Sequence, residues 1–276
     1  MCGILALLEI SQDSQRLRRE ALALVKKLRH RGPDWSGVYS DERAILCHER
    51  LAIVDVMSGA QPLLNNKTGD VLAVNGEIYN HIELAQKHLQ TQHEFQTQSD
   101  CEVLLYLYEE HGPNFLNLIN GIFAFVLYDK RNNTYLIARD HIGIIPLYMG
   151  WDEHGILYVA SEMKAIVDVC KVIEEVPPGH YYSGSEKKFV RYYKPSWDRT
   201  DVLPAQPASK DVLSQALESA VRRQLMCDVP YGVLISGGVD SSVISALAAK
   251  LSARRVESQG TEPAWWPQLH SFSVGL

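Results

Sequence analysis

Val71-Leu72-Ala73-Val74-Asn75-Gly76-Glu77-Ile78-Tyr79-Asn80 is the stretch from which the fold class is read. Two apolar, β-prone runs, Val71–Val74 and Glu77–Tyr79, flank an Asn-Gly pair, the strongest short signal for a type I′ hairpin turn. Working outward, strand-like segments at Ala44–Cys47, Ile122–Tyr128, Thr134–Ala138 and Ile156–Ala160 are short and set off by turn residues, which predicts antiparallel pairing. Helical spacing occurs twice among them. Leu17, Ala21, Leu24, Val25 and Leu28 trace one face over residues 14–29, and Gly32-Pro33 stops that helix. Ser99 and Glu102 match a capping box opening a second helix, which ends near Gly112-Pro113. Helices mixed with antiparallel strands predict an α+β layered domain over residues 1–195.

The pattern changes beyond it. Residues 196–209 hold Pro204, Pro207 and several small or polar residues, as a linker does. Val212, Leu213, Ala216, Leu217, Ala220, Val221 and Leu225 then trace a helix. A strand at Tyr231–Ile235, a tight turn and a helix over Ser241–Arg254 follow. That order opens a parallel α/β domain, at residues 210–276.

The bulk numbers exclude several classes. With 276 residues the chain has room for two domains. A net charge of −6 argues against a nucleic-acid or anionic-membrane surface. No apolar run is long enough for a membrane span, and the start lacks a secretory pattern. Cys2, Cys47, Cys101, Cys170 and Cys227 are scattered and odd in number, with no CxxC pair. They fit reduced thiols and a cytoplasmic location better than a disulfide framework or a zinc site.

Cys2 stands where aminopeptidase removal of Met1 would set a thiol beside a free α-amine. Such an amine titrates near ~7.7–8.0, so part of it is neutral at physiological pH. It can take the thiol proton directly or through water. Taken alone, Cys2 reads as a small buried hydrophobe. Arg50 beside Glu49 also fits a surface ion pair, and Asp100 the first turn of a helix. His30 receives no catalytic role.

The ordered set says more. Met1-Cys2-Gly3-Ile4, His30-Arg31-Gly32-Pro33-Asp34, His48-Glu49-Arg50-Leu51, Asn75-Gly76-Glu77-Ile78-Tyr79-Asn80 and Ser99-Asp100 together resemble the class-II glutamine amidotransferases. The resemblance implies the N-terminal-nucleophile hydrolase fold, a four-layer αββα sandwich, and glutamine hydrolysis at Cys2 without a cofactor. It implies that Arg50 holds the glutamine α-carboxylate, that Glu77 and Asp100 hold its amino end, and that Leu51, Ile53 and Val54 line the substrate. Asn75 (side-chain amide) and Gly76 (backbone N–H) would form the oxyanion hole.

Ser236-Gly237-Gly238-Val239-Asp240-Ser241-Ser242 follows an apolar strand and opens a helix. Its glycines permit close backbone approach to phosphate, while hydroxyls and the helix N-terminus supply donors. It lacks the spacing and lysine of a Walker A loop and instead resembles the loop of the ATP pyrophosphatases. That resemblance puts Asp240 near a magnesium–pyrophosphate, and Leu234 and Val274 at the adenine and ribose.

Both halves in one chain resemble the glutamine-dependent asparagine synthetases of the bacterial B type. Arg139-Asp140-His141-Ile142-Gly143-Ile144-Ile145-Pro146-Leu147-Tyr148, Ser161-Glu162-Met163-Lys164-Ala165, Asp228-Val229-Pro230-Tyr231-Gly232-Val233-Leu234 and Trp265-Trp266-Pro267-Gln268-Leu269-His270-Ser271-Phe272 support it. The resemblance implies L-glutamine, L-aspartate and ATP as substrates, Mg2+ with the ATP, and a homodimer. The family's synthetase domain runs on well past Leu276. The expectation is therefore that this polypeptide by itself is limited to the glutaminase step, with Val233, Leu234, Ile235, Trp265 and Trp266 uncovered. Competing readings are another class-II amidotransferase, disfavoured by Ser236–Ser242, a β-lactam synthetase, disfavoured by Cys2, and a non-catalytic fragment pairing with full-length subunits.

Overall fold

The computed structural model describes residues 1–198, 201, 207–253 and 268–275. The chain divides into two compact units, Met1–Pro195 and Ser196–Leu276.

The first unit runs β1 (Gly3–Leu8), α1 (Ser14–Val25), β2 (Trp35–Ser40), β3 (Ile45–Arg50), β4 (Leu63–Leu64), β5 (Val71–Ile78), α2 (His81–Lys87), α3 (Val103–His111), β6 (Gly121–Asp129), β7 (Thr134–Arg139), β8 (Tyr148–Trp151), β9 (Leu157–Ala160), β10 (Val172–Glu175), β11 (His180–Ser183) and β12 (Lys188–Arg191). Two six-stranded sheets result, ordered β10-β8-β9-β1-β3-β2 and β12-β11-β7-β6-β5-β4. The paired strands of both are antiparallel.

Alternation of side chains builds the layers. Ile4, Ala6 and Leu46 from the first sheet meet Val71, Ala73, Ala124 and Val126 from the second in a core between the sheets. Leu5, Leu7, Ile45 and Cys47 point the other way, onto Leu17, Ala21 and Leu24 of α1. Leu72, Val74, Phe123 and Phe125 likewise pack on Leu84 of α2 and on Leu104 and Leu107 of α3. The unit is a helix–sheet–sheet–helix sandwich. Each fully buried Leu or Phe contributes about 1.5–3 kcal/mol, and the central strands of each sheet are covered on both faces.

That double covering explains why β1 was missed: it is buried at every position and shows no polar alternation. β2, β4, β8, α2 and β10–β12 were not anticipated either. The Asn75-Gly76 turn does not form. β5 runs straight through it, with Asn75 opposite Ala124 and Gly76 opposite Phe123, because the long ladder to β6 overrides the local turn signal. The capping box is also absent. The Glu102 carboxylate instead accepts from the backbone N–H groups of Gln96 and Thr97 and from the Tyr106 hydroxyl, and α3 starts at Val103. The first helix is shorter than expected, continuing only as a tight turn over Lys26–Leu28.

In the second unit α4 (Lys210–Gln224) is capped by Ser209, whose hydroxyl accepts from the Val212 N–H. β13 (Gly232–Leu234), α5 (Val239–Leu251) and β14 (His270–Phe272) follow. β13 and β14 pair in parallel, which makes a β-α-β step. A small core joins Val221, Ala248 and Leu251. Leu234 is 80% exposed, whereas Val233 and Ile235 are half-buried. Trp265, Trp266 and part of the 196–209 linker lie outside the described residues.

Candidate functional site

The layer between the two sheets is apolar along most of its length and polar at one end. In phase with Ala44 and Leu46, β3 places His48 and Arg50 there; in phase with Val71 and Ala73, β5 places Asn75 and Glu77. Cys2 sits one residue ahead of β1, in phase with Ile4. A pocket opens at this end. Cys2, Arg50, Leu51, Ile53, Val54, Asn75, Gly76, Glu77 and Asp100 all line it.

The pocket exists because a strand is missing. β4 covers only Val71 and Leu72, so the outer edge of β5 from Val74 to Ile78 has no neighbouring strand. Side chains replace one. Gln61 Oε1 accepts from the Val74 N–H at 2.8 Å, and His48 Nε2 lies 2.9 Å from the Val74 carbonyl oxygen. The Cys101 thiol donates to the Gly76 carbonyl, and the Asp100 carboxylate accepts from the Ile78 N–H at 2.6 Å. Backbone groups of alternate residues face the same edge, so the Gly76 N–H points there as well. It has no partner among the described residues. Beside it the buried Asn75 Nδ2 is also without a partner. Two adjacent donors therefore stand open in one pocket, although buried polar groups are paired in the great majority of cases. Only glycine fits between them and β6: a Cβ on Gly76 would lie 2.6 Å from Phe123 Cα.

Cys2 is half-buried, with its Sγ 3.3 Å from the Leu51 N–H. Burial pushes its thiol up, opposed by that N–H, by the terminal amine and by Arg50. Burial also lowers the terminal amine, here that of Met1, which favours its proton-accepting form. Arg31 Nε donates to the Cys2 carbonyl at 2.8 Å and its Nη1 reaches Glu162 at 2.7 Å. His30 joins the same carboxylate at 3.0 Å.

The charged groups of the pocket are held as firmly. The Arg50 guanidinium is aimed by the carbonyls of Val54, Asp55 and Val56. Asp100 is buried and Glu77 half-buried, and neither has an ion-pair partner among the described residues. Burial, then repulsion from Asp100, pushes Glu77 up to about 7. Asp100 is also pushed up by burial, against the pull of the Ile78 N–H. The terminal amine pulls Glu77 the other way, and His81 does the same for Asp100, but in both cases burial outweighs the pull.

Residues 1–193 match the family model for the glutamine amidotransferase domain, and residues 212–276 match that for asparagine synthase. The chain belongs to the glutamine amidotransferase family. It is 56% identical over 276 residues to the glutamine-hydrolysing asparagine synthetase B of Escherichia coli strain K12, covering 100% of this chain and 50% of that protein. A probable glutamine-hydrolysing asparagine synthetase of Dictyostelium discoideum is 49% identical over 281 residues, again over 100% and 50%. The chain thus spans about half the length of these curated relatives. Among solved structures, a B. subtilis glutamine phosphoribosylpyrophosphate amidotransferase complexed with ADP and GMP superposes with a TM-score of 0.57 at 21% identity. That match covers 91% of this chain and 64% of the other, and shares the fold.

Within the amidotransferase unit, Gly59, Gln61, Ser99, Cys101, Ile122 and Ile145 also line the pocket. Apart from Ser99, which stands in the Ser99-Asp100 string, sequence reading gave them no place in the site, since they reach it through loops and neighbouring strands rather than through a local motif. In the second unit, Ser236, Gly237 and Gly238 lie between β13 and α5, and Asp240 and Ser241 stand in the first turn of α5. Ser236 and Ser241 share a hydrogen bond of 3.0 Å. Gly238 caps α5 without a side-chain hydrogen bond, which leaves first-turn N–H groups open to a ligand. Leu234 ends β13, and Val274, which is 98% exposed, follows the parallel β14. Among the described residues no three His, Cys, Asp or Glu side chains gather as metal ligands, and none of the described helices is long and apolar enough to cross a membrane.

Proposed function

We propose that the first unit hydrolyses the side-chain amide of glutamine at Cys2, once Met1 has been removed. The observation that carries this reading is the pair of open donors, Asn75 Nδ2 and the Gly76 N–H, in the pocket that Cys2 lines. Arg50 would grip the α-carboxylate with its planar fork, and Glu77 with Asp100 the ammonium group. The freed Cys2 amine takes the thiol proton, and sulfur attacks the amide carbon. Negative charge then builds on the amide oxygen, where Asn75 and Gly76 supply donors worth ~3–4 kcal/mol each to the transition state. The Cys2 ammonium returns its proton to the amide nitrogen, ammonia departs, a glutamyl thioester remains, and water cleaves it to glutamate and the free thiol.

For the whole protein we propose glutamine-dependent conversion of aspartate and ATP to asparagine, AMP and pyrophosphate, in the cytoplasm. The Ser236–Ser242 loop fits a nucleotide's phosphates: glycine Cβ space is open at Gly237 and the helix start is uncapped. Asp240 offers one carboxylate, enough for a Mg2+ that takes its other ligands from phosphate and water.

The test is glutamate release from glutamine by the purified chain. Wild type turns over, and Cys2→Ala falls to background. A Cys2→Ala protein that still hydrolyses glutamine removes the nucleophile, and an inactive wild type favours the non-catalytic alternative.

A further inference from the structure

We infer that His48 is a positioning residue for the oxyanion donors, acting as one rung of a surrogate strand along the open edge of β5. The inference rests on the glutaminase reading above.

The argument starts from the peptide plane. Val74 C=O and Asn75 N–H share one rigid plane. On one side the Asn75 N–H enters the ladder to β6, opposite Ala124. On the other side, among the described residues, the Val74 carbonyl has no strand beside it and receives only His48 Nε2, at 2.9 Å. Both sides are therefore clamped, and the plane that leads into Asn75 and Gly76 cannot tilt. Gln61 completes the rung by taking the Val74 N–H.

The state of the imidazole follows from its partner. A carbonyl only accepts, so Nε2 carries the hydrogen and Nδ1 is bare. Nδ1 is buried and without a partner, and burial pushes the ring down to about 4, so it stays neutral at physiological pH. An apolar ring would fill this buried place without stranding a nitrogen. The donor at Nε2 is the one function that phenylalanine would lack. His48 lies on β3 and Val74 on β5, so this bond also ties the strand carrying Arg50 to the strand carrying the donors.

The experiment compares His48→Gln with His48→Asn in steady-state glutamine hydrolysis. Active sites are counted by a glutamine-mimicking diazoketone that labels Cys2. A glutamine amide reaches the Nε2 position and an asparagine amide does not. His48→Gln should keep kcat within about threefold of wild type, and His48→Asn should lose about tenfold or more, a fraction of what losing a whole oxyanion donor costs. KM for glutamine should move less than twofold in both. Equal kcat in the two variants, or losses confined to KM, would overturn the inference. Nitrogen NMR of the wild type supplies an independent arm: His48 should show the neutral Nε2–H tautomer from pH 5.5 to 8, and the opposite tautomer or a titration there overturns it. An inactive wild type sinks the glutaminase reading itself, whereas active wild type, dead Cys2→Ala and normal His48→Asn sink only this inference.

Discussion

Gly76 and Gly237 both lie in segments proposed to offer backbone N–H groups to a ligand, yet their surroundings are opposite. Gly76 is walled in by Ile122 and Phe123 of the next strand, whereas a Cβ on Gly237 would meet nothing within 4 Å. Around Gly76 the site is built from the sandwich itself: two sheets, each backed by helices, hold Arg50 and Asn75 by ordinary strand geometry. Around Gly237 the site is a turn between a three-residue strand and a helix. Its neighbours Leu234 and Val239 are 80% and 79% exposed. The first site is preorganised by packing, the second by local conformation.

The sharpest way to break this contrast is Gly76→Ala. The added methyl collides with backbone of β6, which cannot move without opening the ladder, so glutamine hydrolysis should fall to background. Urea unfolding should show a loss of about 3 kcal/mol or more. An active, stable variant would mean that the pocket is far looser than the register of β5 and β6 implies.

Next in size is Arg50. Arg50→Ala should raise KM for glutamine by roughly 100-fold, the scale of losing a buried charged partner. Arg50→Lys should fall in between, because it keeps charge and loses the fork. Equal damage from both would assign Arg50 to packing.

Glu77 sharpens the comparison through pH. Its carboxyl is raised to about 7 by burial and by Asp100, so the protonated form is favoured in the empty fold. The stability it contributes is complete below the ordinary carboxylate value and is lost as pH rises through about 7. Glu77→Gln should therefore stabilise the unliganded protein at pH 8, on the order of 2 kcal/mol, while weakening glutamine binding. For wild type, KM should climb as pH falls from 8 to 6, and the variant should lose that slope. A destabilised variant at pH 8 would show that Glu77 supports the fold rather than the ligand.

The smallest effect belongs to Gly237→Ala. With φ at +88° the residue sits in a region that side chains disfavour, so the second unit should lose about 1 kcal/mol. Glutamine hydrolysis should be unchanged. A drop in hydrolysis would tie the two sites together more closely than their separate construction suggests.

The same contrast explains what could be read before the structure was known. Cys2, Arg50, Asn75, Gly76, Glu77 and Asp100 were legible because they recur in ordered strings, and the pocket gathers all of them. His48, Gln61 and Cys101 were not given roles, since their importance comes from the gap beside β5 left by the two-residue β4. No local pattern encodes an absent strand. β1 was invisible because both its faces are buried, and Asn75-Gly76 was misread as a turn because a local signal cannot weigh an eight-pair ladder. In the second unit the helix–strand–helix order was legible from apolar runs and turn residues alone, because it is set by local pattern.

Two cysteines, Cys2 and Cys101, line the pocket, so locating the covalent adduct tests the account most directly. Burial pushes the Cys101 thiol well above its ordinary value, which makes it a poor nucleophile. After reaction with a glutamine-mimicking diazoketone, peptide mass spectrometry should place the whole adduct on Cys2, at the amino terminus of a chain that has lost Met1. An adduct on Cys101, or full hydrolytic activity in protein that still carries Met1, would contradict it.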